Sequence, residues 1–274
     1  MLSLSDKFNS RTAKIDSVTG KWYGLKYRIA YYLHQHHYIK VLDRKVLKLK
    51  LWGKYVLYLR LFSRDLDFFE SIFIGWQDGK RFIGEYDIDG IDCEDILDLG
   101  ANIGLFTVLY AIRYPEKRIL ALEPEPNNYK QLLRNTRQFG NVICLRAGVW
   151  YRDHVVKVYP SRVKLHGENS YSDGAFYIGE CEENDPVASQ AFSIASLAEQ
   201  YGLNYYLIKM DIEGAEYEIF QQGDQDWISQ ISMLVMETHE WLLPDKGIDE
   251  LVIGTMNKAG FHMTTLGENK IFRK

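Results

Sequence analysis

The sequence predicts an α/β fold built on a doubly wound, mostly parallel sheet. Short apolar runs recur at 95–99, 118–122, 142–146, 205–210 and 231–237. Helix-like stretches at 104–113, 126–139, 193–201, 214–222 and 247–259 separate or follow them. Alternation of this kind joins parallel strands by right-handed crossovers. The chain then closes on Phe261–Thr265, a turn at Gly267-Glu268-Asn269 and Lys270–Arg273, which reads as an antiparallel hairpin.

At 274 residues the chain can bury one large core and an appendage. The pattern divides it into a smaller extension, 1–90, and a main domain, 91–274. Within the extension, Lys21 to Leu42 is helix-like. Val46 to Phe62 alternates as strands turning at Gly53, and Asp65 to Trp76 reads as a helix before a loop near Gly79. The net charge of −4 hides an asymmetry: residues 1–64 hold 14 Lys/Arg against 3 Asp. Tyr and Trp accompany them at Trp22, Tyr23, Tyr27, Tyr31, Tyr32, Tyr38, Trp52, Tyr55 and Tyr58. Such a face suits packing on the core or on a second subunit, or an anionic surface such as a membrane interface. Nucleic acid is not expected, because no binding motif accompanies the charge. His34, His36 and His37 have no ligand spacing around them. Three widely spaced cysteines, Cys93, Cys144 and Cys181, and no signal-peptide pattern suggest a reduced, cytoplasmic setting, peripheral to the inner membrane face if the extension binds there.

The segment Asp98-Leu99-Gly100-Ala101-Asn102-Ile103-Gly104 follows the run Ile96-Leu97 and opens a helix through Thr107. It is a strand, a glycine turn and a helix N-terminus, which together make a cofactor cradle. The dinucleotide pattern G-x-G-x-x-G fails at Asn102 and Leu105, and no Gly-Lys-Ser/Thr closes a phosphate loop. A strand-end carboxylate repels pyrophosphate but suits a cationic amino-acid moiety, so charge favours S-adenosylmethionine. Glu123-Pro124 ends the next strand, 25 residues after Asp98. A carboxylate there can accept both hydroxyls of a ribose.

A third segment is Lys209-Met210-Asp211-Ile212-Glu213-Gly214-Ala215-Glu216. With Asp98-x-Gly100-Ala101-Asn102-x-Gly104-x-x-Thr107 and Glu123-Pro124, it resembles the FkbM family of S-adenosylmethionine-dependent methyltransferases over roughly Asp95 to Gly260. The resemblance implies a seven-stranded, Rossmann-like methyltransferase sheet ending in the hairpin, and O-methylation of sugar hydroxyls or natural products. It also implies cofactor contacts from Asp98, Gly100, Ala101, Asn102, Gly104, Thr107, Glu123, Pro124 and Asp211.

Ligands of open α/β sheets lie beyond the carboxyl ends of the strands. That rule gathers Asp98, Glu123 and Asp211 with Glu237 and His239 of Met236-Glu237-Thr238-His239-Glu240; if the strand continues, Glu237 and His239 share a face. His239 is the expected general base, with Asp211 orienting it, binding substrate or acting instead, and Glu213 beside them. A magnesium ion on Asp211, Glu237 and His239 is the less favoured route. Glu216 is read as complementing the helix dipole or contacting Lys209. The acceptor is expected to meet Glu237, His239 and a long loop, Tyr151 to Ala191, containing His166, Asn169 and Ser170. The function expected is methyl transfer to a hydroxyl of a sugar, glycan or glycosylated small molecule. The alternatives are a magnesium-assisted enzyme for a polyketide or phenol and a non-catalytic module in glycan assembly.

Overall fold

A computed structural model describes residues 13, 15–21, 24–29, 46–61, 63–74, 76–77, 80–81, 84, 86–160, 164–165, 168–169, 176–182, 185 and 188–274. They fall into two compact units, Met1–Asp87 and Ile88–Lys274. In the first, helical backbone at 15–21 (α1) and 24–29 precedes a hairpin of β1 (Val46–Leu51) and β2 (Tyr55–Arg60). The turn falls at Gly53 as expected, with Trp52 and Gly53 both at positive φ. Leu47, Leu49, Leu51, Leu57 and Leu59 are buried on alternating positions. Helix α2 (Asp65–Phe69) runs into a π-helical turn, Glu70–Ile74, and a short pair, β3 (Trp76–Gln77) with β4 (Lys80–Arg81). Asp65 is buried and takes the Arg60 guanidinium and backbone N–H together. Residues 30–45, with the three clustered histidines, lie outside the described residues.

The second unit contains β5 (Asp95–Leu99), α3 (Leu105–Arg113), β6 (Arg118–Leu122), α4 (Pro126–Thr136) and β7 (Val142–Leu145). A smaller sheet follows, formed by β8 (Gly148–Val149), β9 (His154–Pro160), β12 (Phe176–Glu180) and β13 (Ala188–Phe192); β10 (Lys164–Leu165) and β11 (Glu168–Asn169) pair separately. The chain continues through α5 (Ile194–Tyr201), β14 (Tyr206–Met210), α6 (Glu216–Gln222), β15 (Ile231–Met236), α7 (Ile248–Lys258), β16 (His262–Leu266) and β17 (Asn269–Arg273).

The main sheet has seven strands in the order β16-β17-β15-β14-β5-β6-β7. Strands β5, β6, β7, β14 and β15 are mutually parallel, and β17 enters antiparallel between β15 and β16. Chain order reverses between β5 and β14, which makes their carboxyl ends the switch point. Every residue of β5 and β14 is buried, as expected of central parallel strands covered on both faces. At the opposite end, Arg118 grips Asp95 through two nitrogens at 2.9 and 2.8 Å. Helix α4 is well punctuated: Glu125 caps it through Asn127 and Asn128 N–H, and Pro126 occupies its first turn.

The expected loop 151–191 is corrected by the four-stranded sheet. Val156, Ile178 and Ala191 join the core that also holds Leu97, Leu120 and Ile208. Its alternation is short and interrupted by Gly, Ser and Asn, so sheet pairing over long separations decides it. Among the described residues no helix is long and apolar enough to cross a membrane.

Candidate active site

The glycine turn is stitched to the end of β6. Backbone N–H groups of Gly100 and Ala101 donate to the Leu122 carbonyl at 3.1 and 2.8 Å, and that of Asn102 donates to Glu123 Oε2 at 2.8 Å. Gly100, Asn102 and Gly104 all have positive φ, at 76°, 51° and 83°. Asn102 therefore fills the left-handed position that the failed dinucleotide pattern would give to glycine. Packing against backbone demands glycine at Gly100, whereas at Gly104 the positive φ does, since the near atom there ends a side chain that can move. A Cβ on Gly100 would stand 1.8 Å from the Asp211 carbonyl oxygen, and one on Gly104 would stand 2.6 Å from Leu132 Cδ1.

Asp98 and Thr107 lie beneath this turn. Both are fully buried, and Thr107 Oγ1 donates to Asp98 Oδ2 at 2.5 Å. Lys209 Nζ stands 3.3 Å from Asp98 Oδ1 and donates to the Gly100 carbonyl at 2.7 Å. Burial pushes the Asp98 carboxyl up, while the Lys209 ammonium and Thr107 hydroxyl draw it down. Burial also opposes charge on Lys209, but Asp98 and Asp211 outweigh it and hold the ammonium protonated. Asp98, Thr107 and Lys209 thus brace the turn from below.

Glu123 is the carboxylate above it. Its Oε1 accepts from Glu125 N–H at 2.9 Å, so each oxygen takes one backbone donor and keeps a second lone pair. Burial pushes its carboxyl up to about 7, with the Glu125 charge acting the same way; the Glu125 and Asn102 N–H groups and Lys209 draw it down. Pro124 follows directly and ends the strand.

Across the switch point, the turn 211–215 and the segment after β15 converge. Strand β15 ends at Met236, so Glu237 and His239 meet as loop residues and not on a continued strand. His239 is 2% exposed and shares a 2.8 Å hydrogen bond between Nδ1 and Glu216 Oε1. Its Nε2 stands 3.6 Å from Asp211 Oδ1, 3.8 Å from Glu213 Oε2 and 3.9 Å from Glu237 Oε1. Glu213 reaches this position in a left-handed conformation, φ 54°, which non-glycine residues adopt at a cost. Burial disfavours charge on His239, yet Glu216, Asp211 and Glu213 push it up to about 10. An imidazole that holds its proton at neutral pH is a poor general base, which weighs against the role expected of His239. Burial and the Asp211 charge push Glu237 up to about 8. Glu216, read as a dipole partner or a contact of Lys209, instead positions the imidazole.

Sequence reasoning missed Lys209 as a brace and Trp241 altogether. Trp241 is 54% exposed, with its ring centroid 6.2 Å from that of His239. Only the Glu213-to-Glu216 spacing in the first helical turn hinted at the imidazole contact. Of the expected acceptor residues, His166 and Ser170 lie outside the described residues. Asn169 is placed in the two-residue strand β11.

The sequence model of the methyltransferase FkbM domain matches residues 98–263, which span the turn, Glu123 and the 211–216 segment and reach the start of β16. The chain belongs to the FkbM methyltransferase family. This FkbM methyltransferase is 29% identical over 205 residues to methyltransferase sdnD of Sordaria araneosa, covering 60% of this chain and 77% of that one. It is 26% identical over 162 residues to methyltransferase 1 of Beauveria bassiana, covering 52% and 63% respectively. A solved fibrillarin pre-rRNA processing protein of Methanococcus jannaschii is 15% identical and aligns over 86% of this chain and 83% of its own, with a TM-score of 0.39.

Proposed function

We propose that this FkbM methyltransferase uses S-adenosylmethionine and methylates a hydroxyl of a sugar, glycan or glycosylated small molecule. One observation carries the reading. The switch point is flanked by a carboxylate suited to a diol, Glu123, and by Asp211, Glu237 and His239 with an exposed tryptophan beside them. S-adenosylmethionine supplies an electrophilic methyl group on a sulfonium.

The residues present fit such a cofactor. Glu123 keeps a lone pair on each oxygen for ribose hydroxyls, and the Asn102 N–H fixes that carboxylate in place. Because Asp98 is buried, the partly exposed carboxylate at this end of the β5–β14 pair is Asp211, which suits an ammonium group. On the acceptor side, carboxylate oxygens accept hydrogen bonds from hydroxyls, and Trp241 offers an apolar face to a sugar ring. The carboxylate cluster would take the proton of a hydroxyl held there as its oxygen bonds the methyl carbon and the carbon–sulfur bond breaks, the neutral thioether leaving, and positioning supplies much of the rate.

Calorimetric titration with S-adenosylmethionine and its demethylated product tests the cofactor. Saturable binding to the wild type that weakens in Glu123→Ala is expected, and absence of heat with either ligand would favour the scaffold alternative. Transfer of a labelled methyl group to a panel of glycosides tests the acceptor. Label recovered on nitrogen or carbon overturns O-methylation.

A further inference from the structure

We infer that Asp211, Glu237 and His239 form a divalent-cation site of the magnesium or manganese class, with Glu216 as the residue that orients the imidazole. One oxygen or nitrogen from each of the three lies within 4.8 Å of the others. An ion about 2.1 Å from each ligand would separate neighbouring ligands by roughly 3 Å and opposite ones by roughly 4.2 Å. The Nε2-to-oxygen distances of 3.6 and 3.9 Å fall in that span. They also exceed hydrogen-bond reach, so the carboxylates surround Nε2 without bonding it.

The histidine is what separates this cluster from an ordinary acidic surface. It is 98% buried, taking the complement of its 2% exposure, and its free nitrogen is aimed at the carboxylates. Its other nitrogen is held by Glu216, a residue with no exposed surface. A carboxylate behind a ligating imidazole is the usual arrangement that fixes tautomer and ring orientation around a bound metal. With Nδ1–H donated to Glu216, the Nε2 proton is the one a cation displaces on binding, and the released lone pair then faces the cluster. Glu213 Oε2, 3.8 Å from the same nitrogen, adds a further anionic oxygen at the site. Two carboxylates and one imidazole leave coordination positions open for water or an acceptor hydroxyl, and oxygen-rich sets of this kind suit magnesium and manganese.

The use of this site rests on the proposed function, since a cation there holds and polarises the acceptor hydroxyl. Its existence is tested without catalysis. Mn²⁺ alone is added to the chelator-washed full chain, and the free-ion signal is followed by electron paramagnetic resonance. One ion bound per chain is expected. Asp211→Asn and Glu237→Gln, whose side chains are partly exposed, should each weaken binding at least about tenfold; Glu216→Gln should weaken it about 10- to 100-fold by loosening the imidazole. Circular dichroism identifies any variant that fails to fold, and the Glu237→Gln result alone then decides. No saturable uptake up to about 1 mM, the weak end of protein–cation affinities, overturns the inference. So does uptake that is unchanged in Glu237→Gln. Cofactor titration in the presence of chelator keeps the two ideas apart: cofactor binding without Mn²⁺ uptake removes only the cation site, and Mn²⁺ uptake without cofactor binding removes only the methyltransferase chemistry.

Discussion

Gly100 passes so close to Asp211 that a side chain on the first would collide with the backbone of the second. The Cβ-to-carbonyl distance would be 1.8 Å, and Gly100 also holds φ at 76°. Backbone cannot swing aside as a flexible side chain can. Gly100→Ala is therefore expected to lose several kcal/mol of stability, on the order of 3 or more, from strain and displaced packing together. Urea unfolding measures it, and a loss under about 1 kcal/mol would show that the two strand ends can separate freely.

The Asp98–Lys209 pair should behave as a unit. Removing one partner leaves a buried charge without compensation, at a cost of about 3–5 kcal/mol. Asp98→Asn and Lys209→Met are each expected to fall in that range, and the double variant should lose clearly less than their sum. Additive losses in a double-mutant cycle would contradict the brace.

Glu123 makes stability depend on pH. Its folded carboxyl sits near 7, above the ordinary 4.5, so folding favours the neutral form. The stabilising contribution is whole below about pH 4.5, declines as the unfolded chain ionises, and is gone above about pH 7. Glu123→Gln should therefore match the wild type near pH 4.5 and gain on it by a few kcal/mol, about 3 at most, by pH 8. Equal unfolding midpoints at both pH values would show that the carboxylate is already ionised in the fold.

Trp241 is exposed enough to be replaced without disturbing the core. Trp241→Ala is expected to raise the KM for a glycoside acceptor roughly three- to tenfold, the worth of one aromatic contact, with cofactor affinity unchanged. A loss of cofactor affinity with acceptor KM intact would place the ring on the other substrate.

Much of this arrangement was legible in the sequence. The strands at 95–99 and 118–122 match β5 and β6 because apolar runs bounded by glycine and proline signal buried strands locally. Asn102 could be read as a left-handed residue because few other side chains tolerate that backbone. The small sheet of β8, β9, β12 and β13 was not legible, since its pairing joins Lys157 to Ala188 across a segment with weak alternation. Nor was the exchange of roles at the turn, where Asp98 went inward to Lys209 and Glu216 went to His239.

By itself the sequence determined the strand–turn–helix order, the left-handed turn and the set of acidic residues at the strand ends, all consequences of local period and backbone sterics. Only the tertiary structure decided what each carboxylate does. Placing β14 between β5 and β15 buried Asp98 under an ammonium and surrounded one imidazole with four carboxylates. Protonation and ligand chemistry follow from that burial and proximity, which no single segment contains.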